Sequence, residues 1–261
     1  MQTIETWFLY LMIYSIAGWC YETTLCSVAQ KRFINRGFLN GPYCPIYGFG
    51  AVLDLLLLGT IENPILLFFT GALVDCALEY FTSWAMEKLF HARWWDYSRR
   101  KFNIKGRVCL IGAVVFGAFS VVIVLVVHPL VASFVDSVPL VARHIAAAIL
   151  FVGFCFDGVY TVTHVAGFHQ KFEKLAGELA DNVRHAKENL PAPPAAVTQA
   201  LERFRASVNA QERRMLRAFP HYRWTGREGH EAVMRQVREF QERLCAAAKE
   251  RRDALKNAKK K

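Results

Sequence analysis

Five long apolar segments occupy most of the first 165 residues and restrict what the chain can fold into. The hydrocarbon core of a bilayer is about 30 Å thick, so a helix needs about 20 mostly apolar residues to cross it. The segments span about 7–28, 45–60, 64–89, 108–131 and 140–163. They predict an all-α integral membrane protein with about five transmembrane helices.

The first two segments need a separate argument. The first has no basic region before its apolar run and is too long for a signal peptide, so it predicts a retained anchor. The second is the shortest, contains Asp54, and fits either a short span or a re-entrant segment. A re-entrant segment would place the two basic loops of the chain on opposite sides of the membrane. The charge pattern therefore favours a second segment that crosses.

Basic residues mark the predicted cytoplasmic side of the membrane. Lys31, Arg32 and Arg36 lie between the first two segments, and a second basic group runs from Lys88 to Arg107. The other connections carry almost no positive charge. The positive-inside rule then places both basic loops and the tail in the cytoplasm and the N-terminus outside.

Charge is divided unevenly along the chain. Up to His164 there are eleven Lys and Arg residues against ten Asp and Glu residues, and the remainder holds twenty-one against twelve. The sequence therefore predicts a membrane domain at 1–165 and a basic cytoplasmic domain at 166–261.

The tail carries apolar residues at helical spacing. The prolines of "LPAPPAA" at 190–196 end the first of three periodic runs, because proline cannot continue the helical hydrogen-bond pattern. The runs cover 168–183, 197–215 and 233–244. They predict a helical hairpin or a small three-helix bundle. Such a tail is either simply solvated or presents its charge to anionic lipid or a partner protein.

Carboxylates inside the predicted spans indicate a functional site. Each costs about 2.5–3.5 kcal/mol at mid-membrane on insertion scales, so such groups usually face protein or water. We predict an acidic cavity that opens to the cytoplasm and is formed by Glu22, Asp54, Asp75 and Glu79. Asp157 in the fifth segment is a further carboxylate outside this predicted cavity. The cavity residues either fix helix packing as ion pairs and protonated carboxyls, or bind a cation, a proton or an amine.

Two loops supply the predicted cytoplasmic rim of the cavity. The stretch "RGFLNGPYCPIYGFG" at 36–50 is rich in glycine and proline, which shape the non-helical backbone where transporters often bind ligands. Its backbone-shaping residues are Gly37, Gly41, Pro42, Pro45 and Gly48. The stretch "HARWWDYSRRKFNIKGR" at 91–107 combines aromatic and basic residues. The predicted rim residues are Trp19, Arg36, Tyr47, Trp94, Trp95, Asp96, Tyr97, Asn103 and Arg107.

Some rim residues have alternative interpretations. Trp94 and Trp95 are also typical of side chains that anchor a protein at the membrane surface. Glu22 with an aromatic wall could hold the amine of a lipid headgroup. The expected charge partners of the cavity are Arg36, Arg93 and Arg107.

Several catalytic and binding motifs are absent from the sequence. There is no GxxxxGK[ST] phosphate loop, HExxH, CxxC or GxSxG motif, and the seven cysteines are scattered. We therefore expect no metal site, no cofactor and no ATP hydrolysis through a phosphate loop. Cys44 has no adjacent histidine or basic partner, which argues against a nucleophile. Nucleic-acid binding is not expected, because membrane topology and helix solvation account for the basic charge.

Four stretches together resemble the bacterial family labelled "putative ABC-transporter type IV" membrane proteins. They are "GWCYE" at 18–22, the glycine-rich loop at 36–50, "ALEYFTSWAMEKLFHARWWDYS" at 77–98 and "FNIKGRVCL" at 102–110. The resemblance covers about the first 165 residues, and "ERRMLRAFP" at 212–220 resembles the tail of some members. The matching residues are Trp19, Glu22, Arg36, Gly37, Gly41, Pro42, Pro45, Tyr47, Gly48, Glu79, Trp94, Trp95, Asp96, Tyr97, Asn103, Gly106 and Arg107.

The resemblance implies a permease-like component of a transport system in the bacterial inner membrane. Because a five-helix bundle is small, we expect a homo-oligomer or separate transporter subunits, together with contacts to anionic lipid. Two other classes of function stay open: a membrane-embedded enzyme or lipid-headgroup binder, and a non-catalytic scaffold that displays the tail.

Overall fold

A computed structural model describes residues 3–188, 199, 202–204, 206–219 and 223–224, and these residues are mostly helical. The third tail run at 233–244 and the proline stretch at 190–196 lie outside the described residues. The helices are α1 Ile4–Ala29, α2 Pro45–Leu58, α3 Pro64–Phe90, α4 Leu110–Val122, a π-helix Ile123–Val127, α5 His128–Ser137, α6 Leu140–Glu188 and α7 Ala210–Ala218. The strands are β1 Ala92–Arg93, β2 Asn103–Ile104, β3 Val108–Cys109 and β4 Arg223–Trp224.

Three of the described helical stretches are long and apolar enough to cross a membrane. They are Pro64–Phe90, Leu110–Ser137 and Leu140–Leu175. Large apolar side chains on their outer faces are open to the surroundings: Leu73 is 72% exposed and Phe156 is 73% exposed. Contact with lipid avoids the unfavourable free energy of exposing these apolar side chains to water. The chain is therefore a membrane protein, as the sequence predicts.

The remaining predicted segments also form helices. Helix α1 has 26 residues, and α2 is a shorter apolar helix of 14 residues. The fifth segment and the first periodic run of the tail lie on one continuous helix, α6, which has 49 residues.

The predicted fourth segment begins too early and ends too soon. Val108 and Cys109 form strand β3, and the helix begins at Leu110 and continues to Ser137. Strand β3 pairs with β2 in an antiparallel hairpin, Ile104 opposite Val108. Lys105, Gly106 and Arg107 connect the two strands, and Lys105 and Gly106 have the positive φ that tight hairpins use. An apolar Val-Cys pair at the start of a hydrophobic run gives no hint of this local pairing.

A π-helix interrupts the fourth helical stretch at Ile123–Val127. It directly precedes His128 and Pro129, and proline has no backbone N–H to continue the α-helical pattern. The wider turn accommodates this loss without ending the helix. It also places His128 Nδ1 3.2 Å from the hydroxyl of Tyr14 on α1.

Glycines let the helices of the membrane domain approach closely. A Cβ atom at Gly48 of α2 would collide with the Leu11 carbonyl oxygen on α1, so only glycine allows this approach. Next to this contact, α1, α2, α5 and α6 share a buried apolar core. Its buried members are Leu9, Tyr10, Tyr14, Ala51, Val135 and Ala147. This packing positions α1 and α2 and the loop between them.

The described residues divide into two compact units. The first contains the described residues up to Met86 and Trp95–Val162, and it holds Glu22, Asp54, Asp75, Glu79 and Asp157. The second contains Glu87–Trp94 and the residues from Thr163 onward. Within the second unit, β1 pairs antiparallel with β4, a pairing that the sequence analysis does not predict.

Helix α7 belongs to the second unit and begins with a capping box. The Asn209 side chain accepts from the Glu212 backbone N–H, and the Glu212 side chain accepts from the Asn209 backbone N–H. Glu212 is 1% exposed and also receives Lys171 Nζ at 2.9 Å. This contact ties α7 to the extended helix α6.

Candidate functional site

Glu22 forms the first part of the site, where α1 faces the loop before α2. Tyr47 donates its hydroxyl to Glu22 Oε1 at 2.7 Å, and Arg36 Nε lies 3.5 Å from Glu22 Oε2. Gly18 leaves the space for the Tyr47 ring, because a Cβ at that position would collide with it. Three residues of the predicted rim and cavity thus come together here, with both oxygens of Glu22 in use.

The loop before α2 is fixed to α1 by polar contacts. Trp19 Nε1 donates to Asn35 Oδ1 at 2.6 Å, and the Asn35 side chain donates to the Asn40 carbonyl at 3.0 Å. The backbone N–H of Cys44 donates to the Ser15 carbonyl at 2.8 Å. Trp19 therefore supports the loop through Asn35.

Cys44 is a buried thiol at the start of α2. Its Sγ donates to the Arg36 carbonyl at 2.9 Å, and it is 8% exposed. Burial, with a smaller contribution from the charge of Glu22, raises the pKa of the Cys44 thiol to about 12. A thiol with this pKa is scarcely ionised at neutral pH, which argues against a nucleophilic role.

Asp157 on α6 accepts five hydrogen bonds, and four of them fasten the same loop. Its Oδ1 accepts from the backbone N–H of Asn40 at 3.1 Å, from Asn40 Nδ2 at 3.0 Å and from Thr161 Oγ1 at 3.2 Å. Its Oδ2 accepts from the backbone N–H of Gly41 at 2.8 Å and from the Tyr43 hydroxyl at 2.7 Å. Burial, together with the hydrogen bond to Asp157 and its charge, raises the pKa of Tyr43. The predicted cavity omits this carboxylate, although it holds the loop most extensively.

Glu79 on α3 is only partly satisfied. Its Oε1 accepts from the Tyr97 hydroxyl at 3.2 Å, whereas Oε2 is buried and has no hydrogen-bond partner among the described residues. Burial raises the pKa of Tyr97, and the charge of Glu79 adds to this effect. Tyr97 is thus one rim residue that directly contacts a predicted cavity residue.

Arg107 is buried against α3, where it contacts a residue one helical turn from Glu79. Its Nη1 donates to Ser83 Oγ at 3.2 Å, and its guanidinium lies over the Tyr80 ring, 5.5 Å from the centroid. Trp95 Nε1 donates to the carbonyl of Arg107 at 3.1 Å. Arg107 is 8% exposed, so it is part of the packed wall beside Glu79.

Asp54 and Asp75 occupy the contact between α2, α3 and α4. Asp54 is 1% exposed, and neither of its carboxylate oxygens makes a hydrogen bond of normal geometry to the described residues. The Ser120 hydroxyl of α4 lies beside both acids, with its Oγ 3.5 Å from Asp75 Oδ2. A Cβ at Gly50 would lie 2.8 Å from Asp75 Oδ1, so a glycine on α2 leaves the space that Asp75 fills.

The four predicted cavity residues are electrostatically connected. The charge of Asp75 interacts with those of Asp54 and Glu79, and the charge of Glu79 interacts with that of Glu22. They therefore form one acidic row, from the buried contact of α2 and α3 to the loop before α2. We call these four residues the acidic row.

The other predicted rim residues have local roles. Trp94 is 3% exposed and packs against Phe219 within the second unit, with ring centroids 5.1 Å apart, so it is not an exposed membrane anchor. Asp96 Oδ1 accepts from the backbone N–H of Ser98 at 2.9 Å and shapes its own turn. Asn103 Oδ1 likewise accepts from the Gly106 backbone N–H at 2.9 Å within the hairpin. Arg93, an expected partner of the cavity, pairs with Glu87 at 2.9 Å.

A family profile described as "Putative ABC-transporter type IV" matches residues 9–162. The chain belongs to this family. The match includes every predicted cavity and rim residue and Asp157, and it stops before α7. No curated protein and no solved structure matches the chain significantly. Membership of the ABC-transporter type IV family agrees with the apolar helices and supports an assignment to membrane transport.

A cavity of about 340 Å³ lies apart from the acidic row, at the other end of α1. Its described lining includes Glu5, Asp136 and Arg143 but none of the acidic-row residues. Arg143 Nη1 lies 3.4 Å from Asp136 Oδ1, and His144 contacts Glu5. This cavity was not predicted, because its charges come from two distant parts of the sequence.

Proposed function

We propose that this chain is a permease-like component of a transport system in the bacterial inner membrane. It crosses the membrane five times through α1, α2, α3, the α4–α5 stretch and α6, with its N-terminus outside and its tail in the cytoplasm. The acidic row forms a ligand site that opens to the cytoplasm and accepts positive charge. Family membership and the three long apolar helices support the membrane-transport part of this proposal.

The observation that carries the site is the incomplete pairing of buried carboxylates. Asp54 and Glu79 hold buried oxygens without hydrogen-bond partners among the described residues. Leaving such oxygens unpaired is costly, so polar groups in membrane proteins usually belong to a pathway or a binding site. A cation, a proton or an organic amine would supply the missing interaction.

The alternative of a lipid-headgroup site at Glu22 has less support. Both carboxylate oxygens of Glu22 already contact Tyr47 and Arg36. A headgroup amine would have to displace one of these partners. The scaffold alternative gains some support from the pairing of β1 with β4 in the second unit, because that pairing orders part of the tail.

The missing phosphate loop and the small size of the helix bundle indicate which partners the chain needs. Its sequence has no phosphate loop, so energy from ATP would have to come from a separate subunit. The bundle is small, so a homo-oligomer or a second membrane subunit would complete a pathway. The basic tail would lie near anionic lipid, where each Lys or Arg contributes about 1 kcal/mol to attraction.

Cysteine labelling tests the topology. In a variant without native cysteines, single cysteines near Lys31 and Lys101 should be protected from an impermeant maleimide in intact cells. Cysteines near Glu62 and Asp136 should react strongly. Protection at Glu62 together with reaction at Lys101 would contradict the five-span arrangement.

Ligand-dependent thermal stability tests the site. The purified protein is heated with sodium, potassium, ammonium or ethanolamine chloride at constant ionic strength. A ligand at 100 times its Kd should add about 2.7 kcal/mol to the free energy of unfolding. Glu79→Gln should reduce this stabilisation, whereas Glu62→Gln, at an exposed loop position, should retain it. Equal responses in all three proteins would remove the acidic row as the binding site.

A further inference from the structure

We propose that Asp54 and Asp75 form a proton-binding pair that carries one proton in the resting protein, so that the two carboxyls are not ionised together. The inference deepens the proposed function by naming the proton as a ligand of the acidic row, and it rests on that proposal for its role in transport. The pair lies where α2, α3 and α4 meet.

The first argument is the isolation of Asp54. It is 1% exposed, and both of its oxygens lack a hydrogen bond to the described residues. An ionised carboxylate in an apolar environment needs a counter-charge or several hydrogen-bond donors, and otherwise it takes up a proton. Asp157 shows how this chain builds a stable buried carboxylate, with donors on both oxygens. Asp54 has no comparable set.

The second argument is the charge of the neighbouring groups. Asp54 faces Asp75 of α3, the charge of Glu79 acts on Asp75 from the same helix, and α4 contributes only the neutral hydroxyl of Ser120. On the α1 and α5 side, Tyr14 and His128 are engaged with each other at 3.2 Å. The described charges that act on the pair are therefore all negative. Two carboxylates that share such a site do not both ionise readily, so one keeps a proton.

The third argument is the packing that holds the pair together. Gly50 on α2 leaves the space for the Asp75 carboxylate, and Gly71 on α3 leaves the space for the Ser120 side chain. A Cβ at either glycine would collide with the polar group opposite. The close helix contact thus brings two acids and one hydroxyl into a buried polar site, which ordinary apolar packing would not produce.

Infrared difference spectroscopy of the full-length protein in detergent tests the pair without any added ligand. A protonated carboxyl absorbs at a C=O stretching frequency distinct from that of a carboxylate. We expect such a band at neutral pH, lost on alkaline titration, with about a tenfold change in the protonated-to-ionised ratio per pH unit. Asp54→Asn should remove the band, and Glu62→Gln should leave it unchanged.

Asp75→Asn is the second variant and gives a signed result. Removing the like charge beside Asp54 should move the midpoint of the remaining band to lower pH. A band that survives both Asp54→Asn and Asp75→Asn unchanged, or no protonated-carboxyl band at neutral pH, would overturn the pair. Loss of the wild-type band on adding sodium chloride at constant pH would assign the site to a metal cation and also overturn it.

The two proposals fail in different ways. A titrating band in a protein that no cation or amine stabilises removes the ligand site but keeps the proton pair. Ligand stabilisation that depends on Glu79 without a titrating band keeps the ligand site and removes the proton pair.

Discussion

Asp157 and Asp54 are both aspartates buried within helices of the membrane domain, yet their surroundings differ completely. Asp157 accepts five hydrogen bonds and is 9% exposed. Asp54 is 1% exposed and has no hydrogen-bond partner of normal geometry among the described residues. The first is built to be charged, because its donors satisfy an ionised carboxylate. The second has no comparable donors.

This difference separates a structural role from a candidate functional one. The donors of Asp157 come from one loop and from its own helix, so its charge fastens the glycine-rich loop to α6. Asp54 holds no loop or helix in place through a hydrogen bond among the described residues. A buried acid that contributes little to the fold yet costs free energy is a candidate for binding a proton or cation.

The largest expected effect is the loss of the Asp157 contact. Asp157→Ala leaves the partly buried backbone N–H groups of Asn40 and Gly41 without this acceptor, and it should lower the free energy of unfolding by about 3–5 kcal/mol. Thermal unfolding of the detergent-purified protein measures this. A loss near zero would mean that the loop finds other acceptors, and Asp157 would then resemble Asp54.

Cys44 extends the comparison to a buried thiol, an acidic group whose neutral, protonated form has a hydrogen-bond partner. Its Sγ donates to the Arg36 carbonyl, and its pKa is raised from the ordinary 9.0 to about 12. Between these values the unfolded thiol loses its proton while the folded thiol keeps it, so stability falls as pH rises. The contribution is fully present below pH 9.0 and declines by about 1.4 kcal/mol per pH unit between pH 9.0 and about pH 12.

Cys44→Ala provides the measurement for this pH effect. Unfolding of the wild type and the variant is compared from neutral to strongly alkaline pH. The wild type should lose stability faster than the variant above the ordinary thiol pKa. Parallel curves would show that the thiol ionises as easily in the folded protein as in the unfolded chain.

Glu79 is intermediate between the two aspartates, with one oxygen satisfied by Tyr97 and one unpaired among the described residues. Tyr97→Phe and Glu79→Gln should therefore couple by about 1 kcal/mol in a double-mutant cycle of thermal stability. Arg107→Ala with Ser83→Ala is the matched control cycle, because Arg107 donates to Ser83, which lies on α3 together with Glu79. Strict additivity for Tyr97 and Glu79 would show that their contact does not contribute to stability.

The sequence predicts much of the fold because apolar length is a local property. Each of the five predicted segments falls largely within a described helical stretch, and only the fourth begins in a strand. The π-helix and the β2–β3 hairpin escape prediction, since the first depends on one proline and the second on two residues of positive φ. The β1–β4 pairing joins residues about 130 positions apart, and no periodicity indicates it.

The candidate site is predicted unevenly for the same reason. Carboxylates in apolar segments stand out singly, so the members of the acidic row can be named from the sequence. Their partners cannot, because Tyr97 and Ser120 reach them only through tertiary packing. Asp157 carries the same signal as Asp54, and only the fold shows that the loop amides converge on it. The Asn-Gly pair at 40–41 marks a turn, but not the acceptor for its N–H groups.

The smallest expected effect tests the comparison most directly, because the same aspartate-to-asparagine substitution can be made at Asp54 and at Asp157. Asp54→Asn should change the free energy of unfolding at neutral pH by less than about 1 kcal/mol, since an amide replaces a carboxyl that already lacks partners. Asp157→Asn should cost more, because the amide nitrogen cannot accept from the donors that meet one carboxylate oxygen. Both proteins are unfolded thermally in the same detergent and buffer. A large loss for Asp54→Asn with a small one for Asp157→Asn would reverse the assignment, making Asp54 the structural acid and Asp157 the candidate for ligand binding.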